Sequence, residues 1–179
     1  MTRAALILVA LAAFAAVLTG CGGDDLSGDA DVPDGWQTVR EGDLSFAVPG
    51  DWRVSRRSGR DGARVVEAHG PGDEELAPAA RVLMEAAPGT PVDTMLRLRE
   101  TADERLPEAD VQEPRDVELD GAERAARWTT TYKAPAGPGR VDGLSAQRED
   151  GSSISVRALS LDRDDVDTEA IADSVRLGG

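Results

Sequence analysis

The chain has 179 residues, with 20 Lys+Arg against 34 Asp+Glu, a net charge of −14 and 40% hydrophobic residues. That length suits one domain with a sizeable core, and the acidity opposes a phosphate-bearing partner, so nucleic acid is not an expected ligand. A single cysteine excludes an intramolecular disulfide framework and a cysteine-based zinc site, and a single histidine excludes His-rich metal sites, so no cofactor is expected.

The N-terminus is basic at Arg3, then apolar without a break from Ala4 to Leu18, then Thr19, Gly20 and Cys21. This is the pattern of a secretory signal peptide. The run is shorter than the ~20 residues that a permanent spanning helix needs. Leu18-Thr19-Gly20-Cys21 resembles the lipobox of bacterial lipoproteins. The resemblance implies cleavage of residues 1–20 and diacylation of Cys21 through its sulfur, often with a further acyl chain such as palmitate on the new amine. It places the chain on the outer face of the bacterial cytoplasmic membrane, with the membrane as a partner through acylated Cys21. Two or three acyl chains anchor durably, at ~0.8 kcal/mol per buried methylene. The competing reading is an ordinary cleaved signal beside an incidental cysteine.

Residues 22–35 contain five Asp and four Gly and little that is apolar. Such a stretch cannot bury enough surface to offset its ordering entropy, so residues 21–35 are expected to be a tether with a reach of roughly 20 Å. One globular domain is expected over 36–177.

Within it, Trp36–Arg40 suits a strand, with a turn at Glu41-Gly42. Leu44, Phe46 and Val48 alternate with Ser45 and Ala47, the period of a half-buried strand, stopped by Pro49-Gly50-Asp51. Trp52–Ser55 and Ala63–Ala68 continue extended, and Ala80, Val82, Met84 and Ala86 give another alternating run. Thr90 as N-cap and Pro91 at the first helical position then open a helix that Pro107 ends. Its apolar stripe is Val92, Met95, Leu96, Leu98, Ala102 and Leu106, meant for a sheet. Arg99 and Asp103 project near the stripe's centre, and an intrahelical ion pair at its edge is the preferred reading over a buried polar site.

Beyond the helix, Val117–Leu119 and Ala125–Lys133 are expected to form a hairpin across Asp120-Gly121, and Val141–Arg148 and Ser153–Ser160 a second across Glu149-Asp150-Gly151. A last helix is expected over roughly Asp164–Val175, its acids placed at the positive end of the helix dipole.

The passages Trp36–Arg40 and Leu44–Trp52, with the closing Ile171–Leu177, resemble PsbP-like domains and related actinobacterial envelope lipoproteins. The resemblance implies an α+β fold: an antiparallel sheet packed with two or more helices, an α/β/α sandwich. It implies an accessory or binding role more often than an enzymatic one and carries over no functional residue.

Catalytic motifs are absent from the sequence. Gly143-Leu144-Ser145-Ala146-Gln147 lacks the closing glycine of a nucleophile elbow. Neither Gly70-Pro71-Gly72 nor Gly137-Pro138-Gly139 completes a dinucleotide-binding pattern, and both are expected to be loops. His69 has no partner at metal spacing and is expected to be solvated. Asp162–Asp167 lacks the glycine of a calcium loop and suits a helix start.

One feature departs from the acidic whole. Arg53, Arg56, Arg57, Arg60 and Arg64 face a single acid, Asp61, over residues 53–64. A basic loop of this kind suits contact with anionic lipid headgroups or wall polymers; the alternative is a solvated hairpin whose arginines pair with nearby acids. The sequence thus points to a lipid-anchored cell-envelope protein acting as a non-catalytic binding or accessory domain for an unidentified envelope protein or ligand. An envelope hydrolase using carboxylates and a carrier of an apolar ligand are the alternatives.

Overall fold

The computed structural model describes residues 32–59, 63–72, 77–85, 92–161 and 166–178. Two antiparallel sheets carry the described chain. In the smaller, β2 (Leu44–Pro49) lies between β1 (Trp36–Glu41) and β11 (Arg176–Leu177). Gly42, at φ 64, closes the β1–β2 turn in the left-handed region that glycine enters without steric cost.

The larger sheet runs in the order β3 (Arg53–Ser58), β4 (Arg64–His69), β5 (Ala79–Glu85), β10 (Ser153–Leu161), β9 (Gly137–Gln147), β8 (Arg124–Ala134) and β6 (Asp110–Val111). β7 (Arg115–Val117) pairs with β8 beside β6. The described helices are α1 (Val92–Asp103) and α2 (Thr168–Asp173).

Side-chain alternation gives the larger sheet two faces. On one, Val66, Ala68, Leu144, Ala146, Ile154, Val156 and Ala158 meet the smaller sheet, through Val39, Leu44, Phe46 and Val48, and Ile171 of α2. On the other, Ala126, Trp128, Tyr132 and Val141 meet Val92 and Leu96 of α1. At roughly 25 cal/mol per Å² of apolar surface, these two clusters are the main favourable contribution to the fold.

Strands dominate this architecture, which corrects the expected α+β sandwich of a sheet packed with two or more helices. One face of the large sheet is covered chiefly by a second sheet. The last helix, expected over Asp164–Val175, spans only six residues, capped by Asp167, whose carboxylate accepts the Ala170 amide at 2.9 Å. It ends at Asp173 with Ser174 as its C-cap, and Arg176 and Leu177 then pair with Ser45 and Leu44 as β11. β2 is therefore a central strand, buried from Leu44 to Val48 and not half-buried.

Two turns also differ from expectation. β7 and β8 do pair, with Val117 opposite Ala125, but the connection across Asp120-Gly121 is longer than two residues. The tight two-residue turn is instead Pro135-Ala136, joining β8 to β9 in a register that sets Ala134 opposite Gly137. Gly137–Gly139, expected to be a loop, therefore opens a strand. Gly139 lies under the Tyr132 ring and Gly143 under the Trp128 ring, where any Cβ would collide with the aromatic carbons. The two ring–glycine pairs fix the β8–β9 register.

Candidate functional site

Two hollows and one buried polar cluster stand out. The first hollow, about 650 Å³, lies where β8, β9 and β10 run past the start of α2. Thr131, Tyr132 and Lys133 reach it from β8, Arg140 from β9, Ser160 from β10, and Asp167 and Thr168 from the start of α2, with Glu108 at the rim. Its volume falls in the ordinary range for small-molecule sites.

The cations lining it are already paired. Lys133 meets Glu108 at 2.5 Å, with both side chains about two-thirds exposed. Arg140 donates to Asp142 through Nε at 2.6 Å and Nη2 at 3.0 Å, and to Glu169 at 3.3 Å. Asp142 is the buried support of the arrangement. It also accepts from Thr129 Oγ1 at 2.7 Å and Thr168 Oγ1 at 2.5 Å, so it ties β8, β9 and α2 together. Burial alone would push its carboxyl up, but the bonds from Arg140, Thr129 and Thr168 together hold it below the usual carboxylate range. Its own hydrogen bond to Asp142 holds the Arg140 guanidinium above its ordinary value, against partial desolvation.

The second hollow, about 570 Å³, is lined by Pro33, Trp36, Pro49, Trp52, Pro71 and Pro78, with Asp51 and Asp167 at its polar side. Val166 and Asp167 line both hollows, so the two sit on either side of the segment that leads into α2.

The third feature lies between α1 and the large sheet, and it corrects the reading of α1. Val92, Leu96, Arg99 and Asp103 follow a four-three-four spacing and form the buried line of the helix, whereas Ala102 is exposed. The Arg99 side chain is 6% exposed and that of Asp103 0%. Asp103 accepts from Thr130 Oγ1 at 2.9 Å and from Arg157 Nη2 at 2.7 Å, and stands 3.9 Å from Arg99 Nη1. The Arg99 guanidinium lies over the Trp128 ring, 4.9 Å from its centroid. The two charges are a buried polar site and not an ion pair at the edge of a stripe. The signal was available in the central position of both residues on the helical wheel.

The basic segment lies on paired strands where the structure describes it. Arg53, Arg56 and Arg57 belong to β3 and Arg64 opens β4, while Arg60 lies outside the described residues. Arg56 and Arg64 share Glu41, at 3.1 and 3.3 Å, and Arg57 binds Glu67 through two bonds of 3.2 and 2.9 Å. These arginines gather on β3, the edge strand of the large sheet, and its neighbour β4, and none of them lines either hollow. Cys21, residues 1–20 and most of the tether also lie outside the described residues, as do Thr90, Pro91 and Asp162–Asp165.

Ser145 is buried in mid-strand, its Oγ 3.4 Å from that of Ser155, with no elbow around it. His69 ends β4 half-buried, and its Nδ1 has no hydrogen-bond partner among the described residues. Among the described residues there is no group of three His, Cys, Asp or Glu placed to hold a metal ion, and no helix is long and apolar enough to cross a membrane.

No family model and no curated protein matches the chain. Among solved structures it is similar to LpqN, described as involved in cell envelope biogenesis of Mycobacterium tuberculosis. The identity is 17% and the TM-score 0.49, over 80% of this chain and 91% of LpqN. It is also similar to PA94, a Pseudomonas aeruginosa protein of unknown function, at 13% identity and a TM-score of 0.43, over 72% of this chain and 85% of that one.

Proposed function

We propose that this chain is a lipid-anchored, non-catalytic binding domain of the cell envelope, and that the hollow at the end of β8–β10 holds its ligand. The observation that carries the reading is the chemistry of that hollow. It is of ligand size, and its Lys133, Arg140, Glu108 and Asp167 balance in charge. The hydroxyls of Thr131, Ser160 and Thr168 and the side chain of Tyr132 line it as well. Paired charges, hydroxyls and an aromatic side chain suit a neutral, hydroxyl-rich ligand such as a sugar unit of an envelope polymer. An anionic ligand would have to break the ion pair of Lys133 or Arg140.

The interface with the smaller sheet is filled by apolar side chains, and the one beneath α1 by apolar side chains around the buried Arg99 and Asp103. A binding role at the rim therefore has more support than carriage of an apolar ligand within the sandwich. The anchor rests on Leu18–Cys21 and on the apolar run before it.

One experiment has two arms. In the first, Cys21→Ala is expected to move the protein out of the detergent-soluble membrane fraction, and a variant with its signal removed that stays bound through a high-salt wash refutes the anchor. In the second, the purified full chain is incubated with insoluble envelope polysaccharide and with soluble oligosaccharides. Binding is expected, weakened by Glu108→Ala and Lys133→Ala together. Both side chains are exposed, so stability should change by no more than about 0.5 kcal/mol for each. Binding that is absent, or unchanged in the double variant, refutes the assignment of the hollow.

A further inference from the structure

The cluster beneath α1 is electrostatically incomplete. Two guanidinium groups, Arg99 and Arg157, share the single buried carboxylate of Asp103. Five buried side-chain atoms lack a hydrogen-bond partner among the described residues, and three of them lie here: Arg99 Nε, Arg99 Nη1 and Trp128 Nε1. All three are donors. A buried donor without an acceptor is destabilising, and more so when the group is charged. Three such donors around one cation, with the neighbouring carboxylate oxygens already taken by Thr130 and Arg157, call for an acceptor bearing negative charge.

We propose that the Arg99–Trp128–Arg157 cluster binds a small oxyanion, a carboxylate or a phosphate, with Arg99 as its principal cation. Arg157 is a third exposed, so the cluster meets solvent through it. Arg157 is anchored on Asp103 and presents its remaining donors to the same ligand. A guanidinium suits either oxyanion, because its planar fork of donors matches oxygens held on one atom. Burial pulls the Arg99 guanidinium below its ordinary value, against Asp103 and Glu100, and Arg157 adds to the pull. The site is separate from the hollow of the proposed function, and the two stand or fall independently.

The test uses the full chain in detergent, titrated with sodium acetate and with sodium phosphate, with sodium chloride at matched ionic strength as reference. The readouts are the Arg Nε–H and Trp Nε1–H nuclear resonances and the melting temperature. A saturable shift of the Arg99 and Trp128 resonances, with a rise in melting temperature above the chloride reference, is expected for at least one oxyanion. Response to acetate alone assigns a carboxylate and response to phosphate alone assigns a phosphate. Response to both assigns an oxyanion site that does not discriminate. Arg157→Gln, at a partly exposed position, should stay folded and weaken binding by roughly tenfold, the effect of losing one charge-assisted hydrogen bond. Arg99→Gln should abolish the response. If neither oxyanion shifts the two resonances beyond chloride, or if Arg157→Gln binds as the unaltered chain does, the proposal is wrong.

Discussion

Asp103→Asn isolates the electrostatics beneath α1. The substitution keeps the size of the side chain and an acceptor for the Thr130 hydroxyl, but it removes the charge facing Arg99 and Arg157. Asp103 is fully buried and the Arg99 side chain is 6% exposed, so water cannot replace the lost charge. Breaking a buried ion pair by neutralising one partner costs about 3–5 kcal/mol, and the retained Thr130 bond places this case near 3. For a domain of this size that lowers the melting temperature by roughly 6–12 °C. Urea unfolding of single and double variants followed by tryptophan fluorescence measures it, read from midpoints at constant slope. Replacing Arg99 as well, as Asp103→Asn with Arg99→Met, removes the stranded cation and should recover at least about half of the loss. A single-variant cost below about 1 kcal/mol would refute the reasoning, because it would mean that Arg99 is hydrated in solution. A double variant less stable than Asp103→Asn would refute it too.

Two further outcomes follow from the rest of the structure. Asp142 has its carboxyl held low in the folded state, so the unfolded chain binds its proton more readily. The stability this contributes is fully present above the ordinary carboxylate range and is lost as pH falls through the lower folded value. Unfolding measured between about pH 2 and 6 should show that loss, and Asp142→Asn should flatten it while lowering stability at neutral pH; an unchanged acid slope would remove Asp142 from the account. Gly143→Ala places a methyl group inside the Trp128 ring, in the middle of two paired strands. It should cost about 1–3 kcal/mol or more in a denaturant titration, with Gly139→Ala behaving alike under Tyr132, and a stable Gly143→Ala variant would show that the ring has another place to lie.

Local signals made much of the chain legible in sequence. Alternation placed β2, β8 and β10 within a residue or two, because a side chain's face in a strand depends only on its neighbours' positions. The helix over Val92–Asp103 was legible for the same reason, from its apolar spacing and the proline beyond it. The signal-like N-terminus and Cys21 remain an expectation from linear sequence, since they lie outside the described residues. What covers each element is decided at a distance. The end of the chain is placed at a distance: Arg176 and Leu177 pair at the edge of β2 with two residues more than 130 positions upstream. The Tyr132–Gly139 and Trp128–Gly143 pairs exist only in the β8–β9 register, so glycines that read as a loop become strand. Arg99 and Asp103 showed their place on the helix wheel, but not their partners. Propensity and periodicity say which face a residue occupies, and only the packed sheet brought Thr130, Arg157 and Trp128 to that face to make a buried charge tolerable. The hollow at the end of β8–β10 is likewise a product of strand lengths and of where α2 begins, quantities that tertiary pairing sets and no local pattern contains.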